Sequence, residues 1–131
     1  MSFVTDSEII PPEAGNADRP KLMIVDDDPE VRIIVAEFLQ DFGYHVVQAG
    51  GGAEALELLG RTPDLRMLIS DIRMPDMSGI ELADRATVCR GNLKVILISG
   101  YFVSQHVAYR FLRKPFRMRD LEAAVRAELA V

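Results

Sequence analysis

Cys89 is the only cysteine in the chain. No disulfide can form within it, and a reduced, cytoplasmic setting is the expectation. The thiol itself reads as an ordinary helix residue rather than a reactive centre. Basic excess is also missing. The formal net charge of -5 leaves no surplus of cations to neutralise phosphates, which argues against a general nucleic-acid or anionic-membrane binder. No apolar run approaches the ~20 residues needed to cross a bilayer. The N-terminus lacks the basic segment followed by an apolar one that marks a secretory signal. Internal repeats and low-complexity segments are absent. His45 and His106 have no metal-ligand partner at a suitable spacing, so both read as structural or exposed. What remains is a chain of 131 residues, 49% hydrophobic and 27% charged. That is enough for one domain with a real core and too little for two.

Residues 1–19 differ from the rest. Pro11-Pro12, Gly15 and Asn16 interrupt any period and the charges are mostly acidic, which predicts a flexible N-terminal extension. A single domain is expected over residues 20–131. Leu22-Met23-Ile24-Val25 reads as a buried strand running into Asp26-Asp27-Asp28, with Asp28 as N-cap and Pro29 in the first turn of a helix. Val31, Ile34, Val35, Phe38 and Leu39 form its expected apolar face, and Gly43 ends it. Tyr44 to Gln48 is a second strand. Gly50-Gly51-Gly52 is a turn, since it lacks the lysine and spacing of a phosphate-cradling loop. Ala53 to Leu59 is a second helix closed by Gly60. Met67-Leu68-Ile69-Ser70-Asp71 is a third strand, broken off by Pro75 and Gly79. Ser78 or Gly79 opens a third helix carrying Ile80, Leu82, Ala83 and Ala86. Val95 to Ile98 is a fourth strand ending at Ser99-Gly100, and Phe111-Leu112 a fifth ending at Lys114-Pro115. Met118 to Leu129 is the last helix, with Leu121, Ala124, Val125 and Leu129 inward.

Strands therefore alternate with helices, and four strands are continuously apolar. Such strands are buried on both faces, which implies a parallel sheet covered on each side. Right-handed crossovers with one switch in strand order predict a flavodoxin-like, doubly wound α/β fold with order 2-1-3-4-5. The C-terminal ends of strands 1, 3, 4 and 5 then share an edge. Asp26 and Asp27, Asp71, Ser99 and Lys114 all lie at those ends. Three carboxylates so gathered repel and raise one another's pKa values unless a cation intervenes. A hard divalent cation such as Mg²⁺ (or Mn²⁺) relieves the conflict. Beside it a carboxylate can act as nucleophile toward phosphorus, with Lys114 and backbone N–H groups stabilising charge on the transferring group.

Val25-Asp26-Asp27-Asp28, Ser70-Asp71-Ile72-Arg73-Met74-Pro75, Ile98-Ser99-Gly100-Tyr101 and Leu112-Arg113-Lys114-Pro115-Phe116 resemble the four signatures of response-regulator receiver domains. These are the CheY-like domains of bacterial two-component signalling. The resemblance covers roughly residues 20–131. It implies that Asp71 is the phosphoacceptor and that Asp26 and Asp27 hold Mg²⁺ together with Asp71 and the backbone carbonyl of Arg73. It further implies that Ser99 is the switch hydroxyl, Lys114 the phosphate-binding lysine and Phe111 the aromatic switch. The side chains of Arg73 and Tyr101 fall at positions that influence phosphoryl lifetime in the family. The Lys114-Pro115 bond matches one that is often cis there. The implied partners are a sensor histidine kinase or a histidine phosphotransfer protein upstream, a protein target downstream, and a second copy of the chain as a homodimer. No direct nucleic-acid or membrane partner is implied. The expectation is a single-domain regulator that takes part in its own phosphorylation and slow dephosphorylation, and is not otherwise an enzyme.

One stretch departs from the family. Lys114 follows Ser99 by only 15 positions, about two helical turns fewer than usual, roughly seven residues. A shortened or missing fourth helix is therefore expected, which alters the surface that often carries output or dimerisation. Two rival readings stand beside this one. A pseudo-receiver would bind partners without being phosphorylated. A hydrolase of the haloacid dehalogenase type would use an aspartate nucleophile and Mg²⁺, with Asp26-x-Asp28 fitting its first motif. That class, however, needs an acidic pair after the lysine, whereas Asp120, Glu122 and Glu128 spread along a helix. The Arg110, Arg113, Arg117 and Arg119 cluster reads as a solvated face.

Overall fold

From Lys21 to Ser99 the chain alternates strand and helix. The structure, a computed structural model, describes residues 19–100 and 108–130. The strands are β1 (Lys21–Val25), β2 (His45–Ala49), β3 (Leu65–Asp71), β4 (Lys94–Ser99) and β5 (Arg110–Arg113). The helices are α1 (Pro29–Asp41), α2 (Gly52–Arg61), α3 (Gly79–Cys89) and α4 (Met118–Leu129). All pairings are parallel and the strand order is β2-β1-β3-β4-β5. This is the expected flavodoxin-like sheet, with its switch between β1 and β3.

Alternation along each strand divides the core into two layers. Leu22, Ile24, Met67, Ile69 and Ile96 face α1 and α4, where they meet Ala36, Leu39, Leu121 and Val125. Met23, Val25, Leu68, Val95 and Leu97 face α2 and α3, where they meet Ala55, Leu59, Leu82 and Ala86. Both faces of β1, β3 and β4 are largely buried, which is why the sequence shows apolar runs there, whereas the edge strands β2 and β5 are only partly covered. Each fully buried side chain of this size contributes roughly 1.5–3 kcal/mol.

Local chemistry sets the element ends. The Asp28 carboxylate accepts from the Glu30 N–H at 3.0 Å and the Val31 N–H at 3.4 Å, capping α1 at Pro29. Gly43 adopts φ 101°, a left-handed conformation that other residues rarely take, and its N–H donates to the Gln40 carbonyl at 2.9 Å. The Ser78 hydroxyl accepts from the Glu81 N–H at 3.1 Å and opens α3.

Two expectations are corrected. Gly60 does not close α2. The helix runs from Gly52 to Arg61 and ends at Thr62, whose hydroxyl donates to the Leu58 carbonyl at 2.6 Å. An isolated glycine weakens a helix without stopping it when the following residues can still pair. The apolar face of α1 is also rotated from the expected one. Val35, Ala36 and Leu39 are buried, whereas Val31 is 37% exposed and Ile34 58% exposed. Small Ala36 lies fully buried against the sheet, which turns the flanking Val31 and Ile34 outward.

Residues 1–18, 101–107 and Val131 lie outside the described residues. The expected N-terminal extension falls there almost entirely, as do Tyr101, His106 and most of the stretch expected to hold a shortened helix. Among the described residues there are four helices.

Candidate functional site

The C-terminal ends of the central strands bring the acidic residues together. Asp26 and Asp27 follow β1, and Asp71 ends β3. Each of the three offers a carboxylate oxygen, and these oxygens all lie within 4.8 Å of one another. Lys114, just past β5, places Nζ 4.0 Å from Asp71 Oδ2. The Asp26 backbone is held from both sides. Its N–H donates to the Ala49 carbonyl at 3.2 Å, and its carbonyl accepts from Arg32 Nη1 at 2.9 Å. Its carboxylate accepts from the Asp28 N–H at 2.9 Å. The three consecutive aspartates thus divide their work. Asp26 and Asp27 face the site, and Asp28 caps α1.

Asp71 is fixed by the register of the sheet. It pairs with Ile98, and the following Ile72 N–H donates to the Ile98 carbonyl at 2.9 Å. Ser99 is 1% exposed at the end of β4, and its carbonyl accepts from the Lys114 N–H at 2.7 Å. This bond ties the hydroxyl-bearing and lysine-bearing strand ends to each other. The Lys114-Pro115 peptide is cis. Phe111 pairs in register with Leu97 and packs, partly buried, in the layer facing α2 and α3. Two residues earlier, the Tyr109 hydroxyl donates to Asp84 Oδ1 at 2.7 Å, anchoring the entry to β5 on α3. Arg73 lies in the loop between β3 and α3. Tyr101 is outside the described residues.

The electrostatics favour a cation. Burial pushes the Asp71 carboxyl above the ordinary carboxylate value, opposed by Lys114 and reinforced by Asp26 and Asp27. Burial likewise raises Asp26, opposed by its bond from the Asp28 N–H and by Lys114, with Asp27 adding to the rise. One ammonium does not neutralise three carboxylates. A set of clustered, acceptor-only oxygens suits a hard divalent ion better than a soft one.

Two supporting residues carry no motif of their own in the sequence. A Cβ on Gly79 would lie 2.2 Å from the Asp71 carbonyl oxygen, so only glycine lets α3 begin against the backbone of the acidic strand. The Asp76 carboxylate accepts from the N–H groups of Gly52 at 3.1 Å and Ala53 at 2.9 Å, joining the β3–α3 loop to the first turn of α2. A faint signal for the second was available. Two glycines before α2 and a third as its first residue leave the first turn without a side-chain cap, so a cap from elsewhere is needed.

Known proteins resemble the chain along most of its length. A family profile described as the response regulator receiver domain matches residues 22–126. The response regulator receiver protein CpdR of Brucella abortus is 37% identical over 111 residues, covering 77% of this chain and 89% of CpdR. Sporulation initiation phosphotransferase F of Bacillus subtilis is 32% identical over 117 residues, covering 83% of this chain and 93% of that protein. Among solved structures, a CheY-like response regulator receiver domain protein from Methanospirillum hungatei superimposes with a TM-score of 0.80 at 28% identity, covering 86% of this chain and 95% of its own.

Proposed function

The chain belongs to the response regulator receiver domain family, and from that premise we propose that it accepts a phosphoryl group on Asp71 and signals by protein–protein contact. The family consists of signalling modules of two-component systems rather than metabolic enzymes. The observation that carries the proposal is the convergence of Asp26, Asp27 and Asp71 within 4.8 Å, with Lys114 Nζ 4.0 Å from Asp71.

The donor is a phosphohistidine on a sensor histidine kinase or a phosphotransfer protein. An Asp71 carboxylate oxygen attacks phosphorus. The new P–O bond forms as the P–N bond breaks, and the departing imidazole nitrogen keeps the electron pair and takes up a proton. Asp26, Asp27, Asp71 and the Arg73 carbonyl are the groups that would hold Mg²⁺ (or Mn²⁺), which when bound supplies positive charge against the carboxylates and the transferring phosphoryl oxygens. Lys114 supplies a further positive charge at Asp71. Once attached, the phosphoryl group adds about -1.5 to -2 charges. The Ser99 hydroxyl donates to a phosphoryl oxygen, and Phe111 follows the strand end, shifting a two-state equilibrium that a downstream protein reads. Arg73 and Tyr101 tune how long the group survives.

Val31 and Ile34 support the choice of donor. They are exposed apolar residues on the first two turns of α1, which begins directly after the acid pair, and they offer contact to a helical partner. Cytoplasmic action accords with the described residues, in which no helix is long and apolar enough to cross a membrane.

The test is incubation with Mg²⁺ and acetyl phosphate followed by intact-mass measurement. One base-labile phosphoryl adduct is expected in the wild type, absent in Asp71→Asn and absent when Mg²⁺ is chelated. No adduct from acetyl phosphate or from phosphorylated kinases would identify a binding-only module. Steady turnover of many phosphomonoesters would identify a hydrolase.

A further inference from the structure

Helix α2 has no cap of its own. Its N-cap residue is Gly51, which has no side chain to offer the free N–H groups of the first turn. The cap comes instead from Asp76, 24 positions after Gly52. Asp76 Oδ1 accepts from the Gly52 N–H at 3.1 Å, and Oδ2 accepts from the Ala53 N–H at 2.9 Å. Oδ1 also accepts from the Met77 N–H at 3.0 Å, which orients the carboxylate within its own loop. These bonds, the Ala53 N–H first and then the Gly52 N–H, hold the Asp76 carboxyl below the ordinary carboxylate value. Met77 completes the junction. Its side chain lies so close over Gly52 that a Cβ there would sit 2.3 Å from Met77 Cγ.

This junction joins two backbone segments that each lead to the acidic site. On one side, the loop from Ile72 to Ser78 leaves Asp71 and carries Arg73. The base of that loop is pinched by the Gly79 N–H donating to the Ile72 carbonyl at 2.8 Å. On the other side, α2 follows the turn after β2, whose last carbonyl, on Ala49, accepts from the Asp26 N–H at 3.2 Å. Asp76 thus closes a ring that runs from Asp71 through the loop, across to α2, back along the turn to Ala49, and into Asp26. Without that closure the loop keeps its base and the packing of Met74 and Met77 but loses its hydrogen-bonded tie to α2, so the segment that carries Arg73 is less tightly fixed.

We infer that Asp76 is a positioning residue for the metal and phosphoryl site, holding the β3–α3 loop in place by capping α2 from a distance. The inference rests on the Mg²⁺ reading given above and adds a consequence to it. Occupancy of the acidic site and order in the first turn of α2 are linked, so each reports on the other.

The test uses the full chain in three forms: wild type, Asp76→Ala, and Asp76→Ala combined with Gly51→Ser. Gly51 is extended, with φ -177° and ψ 179°, a conformation that serine adopts freely. Serine there restores a cap within α2 without restoring the bond to the loop. Mg²⁺ affinity is read by calorimetry, and amide exchange at Gly52 and Ala53 by NMR with and without Mg²⁺. Asp76→Ala is expected to bind Mg²⁺ about five- to tenfold more weakly. Its Gly52 and Ala53 amides should exchange fast and lose the slowing that Mg²⁺ causes in the wild type. The double variant should recover thermal stability but not Mg²⁺ affinity. Unchanged affinity in Asp76→Ala overturns the inference. So does full recovery of affinity in the double variant, which would make Asp76 a cap for α2 and nothing more. A wild type that binds no Mg²⁺ is a different failure, since it removes the metal reading itself and the positioning role with it.

Discussion

Replacing the proposed nucleophile should make the metal-free protein more stable. In Asp71→Asn the side chain keeps its shape and loses its charge. Asp26 and Asp27 each offer an oxygen no more than 4.8 Å from that of Asp71. At an effective dielectric constant between 20 and 80, each repulsion is worth about 0.9–3.5 kcal/mol. Lys114 Nζ, 4.0 Å from Asp71, opposes them with about 1.0–4.2 kcal/mol over the same range. Two repulsions exceed one attraction throughout. The cost of burying a charged carboxylate adds in the same direction. The rim is open to water and Lys114 is partly exposed, so the low end applies, on the order of 1 kcal/mol. That corresponds to a rise in Tm of roughly 3–5 °C for a domain of this size. The assay is thermal unfolding by circular dichroism in EDTA at pH 7.5, repeated in excess Mg²⁺. Mg²⁺ should raise the Tm of the wild type more than that of Asp71→Asn, reversing or closing the gap. The pH dependence has a definite sign. Because the folded carboxyls titrate above their unfolded values, their penalty is present above the folded pKa and vanishes as pH falls through it. The advantage of Asp71→Asn should therefore shrink on acidification. An Asp71→Asn protein no more stable than the wild type in EDTA would refute the account of three under-compensated carboxylates.

Gly79→Ala forces a Cβ to within 2.2 Å of the Asp71 carbonyl oxygen. It should cost ~1–3 kcal/mol in denaturant unfolding and slow acetyl phosphate-driven labelling by moving Asp71. Glu122 is 2% exposed on α4 and accepts from the Tyr44 hydroxyl at 3.1 Å. Tyr44→Phe should therefore lose about 1.5–3 kcal/mol, measured by urea titration. Burial and then the Glu122 charge push the Tyr44 phenol up from 10.0 to about 12. The stability from this contact is full below the ordinary tyrosine value and falls as pH rises toward the higher one, which alkaline unfolding would report. Ile34→Ser replaces an exposed residue and should change stability by no more than ~0.5 kcal/mol. It should slow labelling by a phosphorylated donor protein relative to labelling by acetyl phosphate, and an unchanged ratio would remove α1 from the docking surface.

Much of this protein is readable in one dimension because its elements are built on short-range periods. β1, β3 and β4 announce themselves as apolar runs. The last helix is found at its true limits, Met118–Leu129, because its apolar spacing has no rival. Asp26, Asp27, Asp71, Ser99 and Lys114 are legible because each ends a strand, and a parallel sheet sends those ends to one edge. The misread face of α1 has a tertiary cause. Val31 and Ile34 fit a helical face, but which arc of α1 faces inward depends on how closely Ala36 meets the sheet. Glu122 lies outside any local pattern too, since the Tyr44 that packs against it is 78 positions away.

The sequence by itself determined the kind of sheet, its strand order and the residues delivered to its edge. Local chemistry suffices for these, since periods of two and 3.6 residues, caps and turn residues act within a few positions. Only the tertiary structure decided how the edge is held together. Asp76 on the first turn of α2 and Ser99 bonded to Lys114 join segments remote in sequence, and Gly79 against the Asp71 carbonyl and the outward turn of Ile34 depend on how the elements pack. Such contacts depend on the distances that remain once the sheet has twisted and the helices have packed. No local pattern carries that information.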